Sequence, residues 1–217
     1  MHPTRTEYVM DPVKVSIIYY SSTGSVHRLA DAAADAAEKA GAEVRVRRAP
    51  ELAPEQAIQS NDAWVKNVAD TQHIPDAQPE DIVEADVVLL GTPTRYGNVA
   101  AQLKQFLDSL GPYWQRGELA NKVYAGFTST ATAHGGQETT LLALYNTVYH
   151  FGGILVPPGY TDPSKFVDGN PYGVSHVAGQ GDIPVGEVEL TAIDHLARRA
   201  VGVAEELKAG RQALAAR

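Results

Sequence analysis

The apolar positions of the chain follow two alternating patterns. Runs of β-branched and aromatic residues of strand length are separated by stretches in which apolar residues recur every three or four positions, as on one face of a helix. The runs predict strands at 13–20, 43–47, 86–90, 122–128 and 154–156. The stretches between them predict helices at 25–40, 98–110, 138–151 and 187–207. Strands and helices therefore alternate along the chain.

This alternation predicts the fold class. Strands that alternate with helices form a parallel sheet with helices on both faces. Five strands favour a doubly wound, flavodoxin-like sheet in a three-layer α/β/α fold, because an eight-stranded barrel needs a longer chain than these 217 residues. We expect a flexible extension at 1–12, one flavodoxin-like domain at 13–210 and a tail at 211–217.

Two connections are longer than the usual link between a strand and a helix. The segment 50–78 has mixed polarity and several prolines, and the segment 157–184 is rich in glycine and proline. Loops of this length inside a compact domain are usually functional or contact other subunits. We therefore expect both segments to serve a site or an interface.

Composition narrows the class of partner. The formal net charge of −8 opposes the negative field of nucleic acids and of anionic lipids, which disfavours a general nucleic-acid binder. The absence of cysteine excludes disulfides, thiolate metal sites and a cysteine nucleophile, and it suits a reducing compartment. No signal-peptide core and no apolar run of roughly 18 residues are present. A soluble, cytoplasmic protein is expected.

The first candidate site is the turn after the first predicted strand. Ligands of open α/β sheets lie outside the carboxyl ends of the strands, where the winding direction reverses. In Ser21-Ser22-Thr23-Gly24-Ser25-Val26, four hydroxyl groups and the free N–H groups of a helix start can hold a phosphate. An ordinary capped turn is the alternative, because Ser and Thr also cap helices.

Two further turns lie at the same edge of the predicted sheet. In GTPTRYGN (91–98), glycines and a proline let the backbone approach a flat ligand, Tyr96 offers an aromatic face and Arg95 a positive charge. A solvated Arg and a packing Tyr are the alternative. TSTATAHGGQE (128–138) combines hydroxyl groups, two glycines and a helix start. Together the three turns predict a composite site for an anion and a planar ring.

Competing motifs are absent from the sequence or incomplete. There is no GxxxxGK[ST], HExxH or GxSxG, so P-loop, zinc-hydrolase and serine-esterase chemistry are unsupported and no metal ligand is predicted. Gly179-Gln180-Gly181 begins like a dinucleotide motif. Pro184 stands at its third glycine position and no strand is predicted before it, so we assign it to a loop.

With these motifs in this order, the sequence resembles the WrbA-type NAD(P)H:quinone oxidoreductases, a flavodoxin-like family. The resemblance covers the chain after the first dozen residues and rests on SSTGSV at 21–26, GTPTRYGN at 91–98, GGQE at 135–138 and PYG at 171–173. GTPTRYGN together with GGQE is its specific part. The resemblance implies an FMN cofactor, NADH or NADPH as electron donor, a quinone substrate and a homotetramer.

The resemblance also implies roles for individual residues. His150 would lie near the flavin and Trp114 would close the substrate pocket together with Tyr96, although a lone His or Trp on a helix is more often a core residue. Thr23 departs from the family, whose members often carry an aromatic residue there. The implied cofactor contacts are Ser21, Ser22, Thr23, Gly24, Ser25, Val26, Pro93, Thr94, Arg95, Tyr96, Gly97, Asn98, Ser129, Thr130, Ala131, Thr132, Ala133, His134, Gly135 and His150.

The hypothesis that follows is a two-step exchange of electrons. NAD(P)H delivers hydride to flavin N5, leaves, and is replaced by a quinone that takes two electrons. As catalytic residues, Arg95 would favour the anionic reduced flavin, and His150 would hold the ring edge or protonate the quinone. The rival hypothesis is a flavodoxin-like electron carrier or a redox-sensing scaffold. The long loops and Trp114 favour an enclosed pocket and therefore the enzyme.

Overall fold

A parallel sheet organises residues 11–217, the part of the chain that the computed structural model describes. Its main strands run in the order β2-β1-β3-β5-β6. Their bounds are β1 Lys14–Tyr19, β2 Glu43–Arg48, β3 Val87–Arg95, β5 Val123–Thr130 and β6 Ile154–Leu155. The predicted doubly wound parallel sheet is confirmed.

Two short strands were not predicted. Strand β4 (Asn98–Val99) pairs antiparallel with the end of β3, and β7 (Val174–Val177) pairs parallel with β5. Both β6 and β7 use β5 as their partner, β6 along Val123 and Tyr124 and β7 from Phe127 onwards. The last position of the sheet is therefore filled by two strands, and residues 156–173 leave the sheet between them.

Nine helices cover the sheet within residues 11–217. They are α1 Ser25–Lys39, α2 Glu55–Ile58, α3 Asp62–Asp70, α4 Pro79–Val83, α5 Ala101–Asp108, α6 Gly111–Gln115, α7 Gln137–Phe151, α8 Lys165–Asp168 and α9 Glu187–Ala215. In this range no helix is long and apolar enough to cross a membrane.

The core lies on both faces of the sheet because consecutive residues of the central strands, as in Ile17-Ile18 and Leu89-Leu90, are apolar. Ile17 and Leu89 point to one face, where they pack with α1 and α9. Ile18 and Leu90 point to the other face and pack with α5 and α7. A strand covered on both faces reads as a continuous apolar run, and this signal identified β1 and β3 in the sequence.

The structure corrects several predicted boundaries. The helix predicted at 98–110 begins only at Ala101, because Asn98 and Val99 pair with the end of β3. The expected tail at 211–217 is mostly helical, since α9 continues to Ala215. The segment 50–78 contains α2 and α3, and 157–184 contains α8 and β7. Of the expected extension at 1–12, residues 1–10 lie outside the described residues.

A buried ion pair anchors the excursion between β6 and β7. The ammonium group of Lys165 contacts the carboxylate of Asp168, and both side chains are almost wholly inaccessible to solvent. Lys165 Nζ also donates a 2.9 Å hydrogen bond to the carbonyl oxygen of Gly173. These bonds satisfy the buried charges and return the chain to the start of β7.

Candidate functional site

A cleft opens at the carboxyl ends of β1, β3, β5 and β7, with about 770 Å³ of empty space that is partly open to solvent. The residues that line it are Ser21, Ser22, Thr23, Ser25, Asn61, Trp64, Pro93, Thr94, Arg95, Ser129, Thr130, Ala131, Ala178, Gly179, Gln180 and Gly181. The structure thus brings parts of all three predicted turns together. It adds residues of the two long connections, 50–78 and 157–184, which were expected to serve a site or an interface but in which no contact residue was predicted.

The first turn joins β1 to α1 through a left-handed glycine. Gly24 has φ 98°, and its N–H donates a 3.1 Å hydrogen bond to Ser21 Oγ. Helix α1 begins at Ser25, so the first N–H groups of the helix have no partner within it. These groups and the hydroxyls of Ser22, Thr23 and Ser25 form a donor-rich cradle at the positive end of a helix dipole.

The second turn is a tight hairpin rather than the start of a helix. Thr94 pairs with Val99 and Arg95 with Asn98, which leaves Tyr96 and Gly97 as a two-residue loop. Both loop residues have positive φ, 55° and 77°, as a type I′ turn requires. The Tyr96 side chain is fully exposed and lies outside the lining of the cleft.

Arg95 carries the positive charge of the cleft. Its Nη2 lies 3.4 Å from Ser22 Oγ, and its Nη1 donates to the carbonyl oxygen of Thr94 at 2.8 Å. The side chain therefore reaches from the second turn to the first. This contact adds a cation to a phosphate cradle that contains no Lys or Arg of its own.

The third turn follows β5, which extends two residues beyond its predicted end, to Thr130. Thr130 Oγ1 donates to the carbonyl oxygen of Thr132 at 2.8 Å, and Gln137 Nε2 donates to Thr130 Oγ1 at 3.3 Å. Only Ser129, Thr130 and Ala131 of this turn line the cleft. The predicted contacts that lie outside the lining are Gly24, Val26, Tyr96, Gly97, Asn98, Thr132, Ala133, His134, Gly135 and His150.

The second and third turns are in direct contact. Thr140 Oγ1 donates to Thr94 Oγ1 at 2.7 Å, and a Cβ added at Gly136 would lie 2.8 Å from the Cα of Gly97. Only glycine fits this approach. The two turns therefore form one rigid wall of the cleft.

Helix α3, in the long connection 50–78, supplies a wall of the cleft whose individual residues were not predicted. Asn61 caps α3 by accepting hydrogen bonds from the N–H groups of Ala63 and Trp64, and both Asn61 and Trp64 line the cleft. Buried Asn67 donates a 2.8 Å hydrogen bond to the carbonyl oxygen of Ser21, so α3 supports the first turn from behind. The Asn cap before an apolar stretch was the signal available in the sequence.

Glu51 connects α3 to the rest of the cleft. Its carboxylate accepts hydrogen bonds from Trp64 Nε1 and Gln102 Nε2, each at 2.9 Å, and from the Tyr20 hydroxyl. Partial burial raises the pKa of this carboxyl group, and the accepted hydrogen bonds outweigh that effect and lower it below the usual value. Burial and the carboxylate in turn raise the pKa of the Tyr20 phenol, which therefore keeps its proton.

The segment after β7 closes the cleft on the side of the first turn. A Cβ added at Gly181 would lie 2.8 Å from Thr23 Cβ, so the backbone at Gly181 packs directly against the Thr23 side chain. Contrary to the expectation, a strand does precede Gly179, because β7 ends at Val177. The assignment of residues 179–181 to a loop is confirmed.

His150 and Trp114 lie away from this cleft. His150 is in the last turn of α7, whose first turn is at the cleft, and 15 residues of helix span about 20 Å. Trp114, on α6, is 51% exposed, and its Nε1 donates to the carbonyl oxygen of His150 at 2.7 Å. The chain's own cleft and this pair are therefore separated by the length of a helix.

The residues of the cleft fit a phosphate joined to a planar ring. Among its lining residues none carries a carboxylate, whereas hydroxyl groups, backbone N–H groups and the guanidinium of Arg95 are all hydrogen-bond donors. The ends of β3 and β5, at Pro93 and Ser129, stand next to each other in register and border the space beside the phosphate cradle. This arrangement suits a flavin mononucleotide with its phosphate on the first turn.

Comparisons with known proteins give a consistent result. The family model described as NADPH-dependent FMN reductase matches residues 13–165. The chain is 43% identical over 197 residues to a NAD(P)H dehydrogenase (quinone) of Deinococcus radiodurans, covering 90% of this chain and 98% of that protein. It is 40% identical over 208 residues to a protein of the same name in Aromatoleum aromaticum, covering 93% of this chain and all of that protein.

Solved structures agree on the fold. A flavodoxin, WrbA-like protein from Agrobacterium tumefaciens superposes with a TM-score of 0.63 at 24% identity, covering 89% of this chain and 98% of that one. An oxidised flavodoxin from Bacillus cereus superposes with a TM-score of 0.57 at 15% identity, covering 87% of this chain and 97% of that one. The flavodoxin-like fold is confirmed.

Proposed function

Since the chain belongs to the NADPH-dependent FMN reductase family and, within it, to the NAD(P)H dehydrogenases (quinone), we infer that it is an FMN-dependent NAD(P)H:quinone oxidoreductase. The WrbA-type resemblance of the sequence is thereby confirmed. FMN is the cofactor and NADH or NADPH the electron donor. The rival hypothesis of a carrier without turnover loses its support, because the curated relatives are named as dehydrogenases.

The proposed binding mode rests on a cleft lining that is rich in hydrogen-bond donors and includes no carboxylate. The N–H groups at the start of α1, the hydroxyls of Ser22 and Ser25 and the guanidinium of Arg95 bind the phosphate. The space bordered by Pro93–Arg95 and Ser129–Ala131 receives the ring. Gly24 makes this possible because its left-handed backbone presents the following N–H groups to the phosphate.

Bound FMN supplies the two-electron chemistry that links the nicotinamide donor to the quinone. The protein's own contribution is binding, orientation and electrostatics. Arg95 holds its positive charge at the phosphate cradle, beside Ser22, and the wall of the second and third turns borders the space for the ring. The role of Arg95 in favouring the anionic reduced flavin stays a prediction from the sequence. No side chain of the cleft acts as a nucleophile in this proposal.

We propose that His150 and Trp114 act on the site of another copy of the chain. The length of α7, about 20 Å, separates them from the cleft of their own chain, and this is too far for contact with a ligand bound there. The outward face of α7 exposes Tyr149, next to His150 in sequence, and Leu142, about two turns earlier, and such an apolar face favours contact with a further subunit. A homotetramer, in which Trp114 and Tyr96 contact the quinone and His150 contacts the flavin, accounts for this arrangement.

A cytoplasmic location of the protein stays a prediction from the sequence.

The decisive experiment measures quinone reduction by the purified, FMN-loaded protein without oxygen. We expect a bound-flavin spectrum and oxidation of NADH or NADPH that requires both benzoquinone and protein-bound FMN. Free FMN at the same concentration is the control. Retention of FMN without any quinone turnover would support the electron-carrier hypothesis instead.

A further inference from the structure

The cleft contains a flat apolar surface that the proposed binding mode of FMN does not use. Trp64 is the only aromatic residue among those that line the cleft within the described part of the chain. Its Nε1 donates to Glu51 Oε2 at 2.9 Å, so the polar edge of the indole is already satisfied by the protein. What remains for a ligand is the apolar part of the ring.

This surface is held rigidly. Glu51 also accepts hydrogen bonds from the Tyr20 hydroxyl and from Gln102 Nε2, and its carboxylate therefore joins the residue after β1 to α3 and α5. Asn67, one turn after Trp64 on α3, is bonded to the carbonyl oxygen of Ser21. An aromatic side chain fixed in this way loses little conformational freedom when a ligand binds to it.

The position of Trp64 separates it from the space assigned to the flavin ring. That space lies between the ends of β3 and β5, whereas α3 is bonded through Asn67 to the first turn and through Glu51 to Tyr20, the residue after β1. In the sheet, β1 lies on the opposite side of β3 from β5. Trp64 therefore stands at the phosphate end of the cleft, where FMN offers no ring to stack on it.

Amide groups accompany the indole. Asn61 uses its side-chain oxygen to cap α3, and within residues 11–217 its NH₂ group has no hydrogen-bond partner. Gln180 contributes a second amide to the lining of the cleft. A flat apolar surface with amide groups beside it suits a purine base, which has a large aromatic face and a polar edge.

We propose that Trp64 is the surface on which the adenine ring of NAD(P)H stacks, and that Glu51 is the positioning residue that holds it there. The inference rests on the proposed function, because the nicotinamide nucleotide is the donor of that reaction. It assigns the phosphate end of the cleft, where Trp64 lies, to the adenosine part of the donor. The nicotinamide is then left to meet the flavin ring.

The test compares two donors that differ only by the adenosine monophosphate unit. We expect Trp64→Ala to lower the ratio of kcat/KM for NADH to kcat/KM for reduced nicotinamide mononucleotide by about tenfold, the effect of losing one base–aromatic stack. Trp64→Phe, which keeps an aromatic face, should retain most of the ratio. Glu51→Ala should lower it in the same direction, and Glu51→Gln, which keeps a carbonyl acceptor, should lower it less.

A binding measurement that needs no turnover accompanies the kinetics. We expect ADP-ribose to bind the FMN-loaded protein in calorimetry and to bind Trp64→Ala about tenfold more weakly. Phe166→Ala is the matched control, because Phe166 is a 72% exposed aromatic residue on α8 outside the lining of the cleft. Thermal unfolding identifies any variant that is not folded, and Trp64→Leu then replaces Trp64→Ala.

The results distinguish the two claims. An unchanged donor ratio together with unchanged ADP-ribose affinity overturns the role of Trp64, even if the wild-type enzyme reduces quinone. A rise in the FMN dissociation constant without a change in the ratio also overturns it, because the indole would then contact the cofactor. If the wild-type protein binds ADP-ribose through Trp64 but reduces no quinone, the proposed function fails and the adenine site stands.

Discussion

The indole Nε1 of Trp114 donates a 2.7 Å hydrogen bond to the backbone carbonyl oxygen of His150. This bond satisfies one of the carbonyl groups at the end of α7 that have no partner within the helix. It also fixes the two residues as a unit, so that a change at one of them displaces the other. The pair lies on an exposed face, at the opposite end of α7 from the cleft.

The first prediction concerns this pair and the assembly of subunits. Trp114→Ala should raise the KM for quinone by about fivefold, the effect of losing an aromatic contact of roughly 1 kcal/mol, and should raise the FMN dissociation constant less. Dilution should lower quinone reduction in proportion to the tetramer fraction seen by ultracentrifugation. A fully active monomer would contradict the shared site and leave the oxidoreductase assignment intact.

The second prediction concerns the phosphate cradle. Gly24→Val should weaken FMN binding by about tenfold or more, because a β-branched residue strains a left-handed backbone. Ser22→Ala, which removes one hydroxyl donor, should have a smaller effect on the FMN dissociation constant. Gly41→Val is the matched control, since Gly41 has φ 89° and open space around it, at the other end of α1. Equal and small effects of the Gly24 and Ser22 variants would favour an ordinary capped turn.

The third prediction follows from the lowered pKa of Glu51. A carboxyl group whose pKa is lower in the folded than in the unfolded protein stabilises the fold above its unfolded value, near 4.5, and this stabilisation is lost as the pH falls through the folded value. The free energy of unfolding in urea should therefore differ more between wild type and Glu51→Gln at about pH 7 than at about pH 3. Glu38→Gln, the same substitution at an exposed position of α1, is the matched control.

The fourth prediction concerns the buried ion pair of the excursion. Lys165→Met should lower the free energy of unfolding by about 3–5 kcal/mol, because it leaves the carboxylate of Asp168 buried without its partner. The double variant Lys165→Met/Asp168→Leu should recover a large part of this loss. Lys66→Met, which breaks an exposed ion pair on α3, should cost less than about 1 kcal/mol. Equal losses for the two single variants would show that burial is not the cause.

The periodic elements could be predicted because their signals are local. The apolar runs of β1 and β3 and the helical spacing of α1 are properties of consecutive residues, and each element lies within a few residues of its expected place. Asn98 and Val99 were assigned to a helix because their pairing with Thr94 and Arg95 depends on a hairpin that propensity alone does not specify. Similarly, the four residues of β7 become a strand only through their pairing with β5.

The site was predictable to a similar degree. Its location followed from the rule that ligands bind at the carboxyl edge of a doubly wound sheet. Trp64 and Gly181 were missed because their positions depend on contacts across the fold, from Glu51 to Trp64 and from Thr23 to Gly181. Arg95 was expected at the edge of the flavin ring, and its contact with Ser22, far away in sequence, could not be read from either motif.

The division of one edge of the sheet between two short strands, β6 and β7, has a consequence for aggregation. A long open edge strand invites pairing with another molecule and hence aggregation. Here one edge is split into β6 and β7, of two and four residues, with the excursion 156–173 between them. The opposite edge, β2, carries Arg45, Arg47 and Arg48, each paired with an acidic side chain. Neither edge offers a long, uncharged row of backbone groups, so the sheet is protected from growing into fibrils by strand addition.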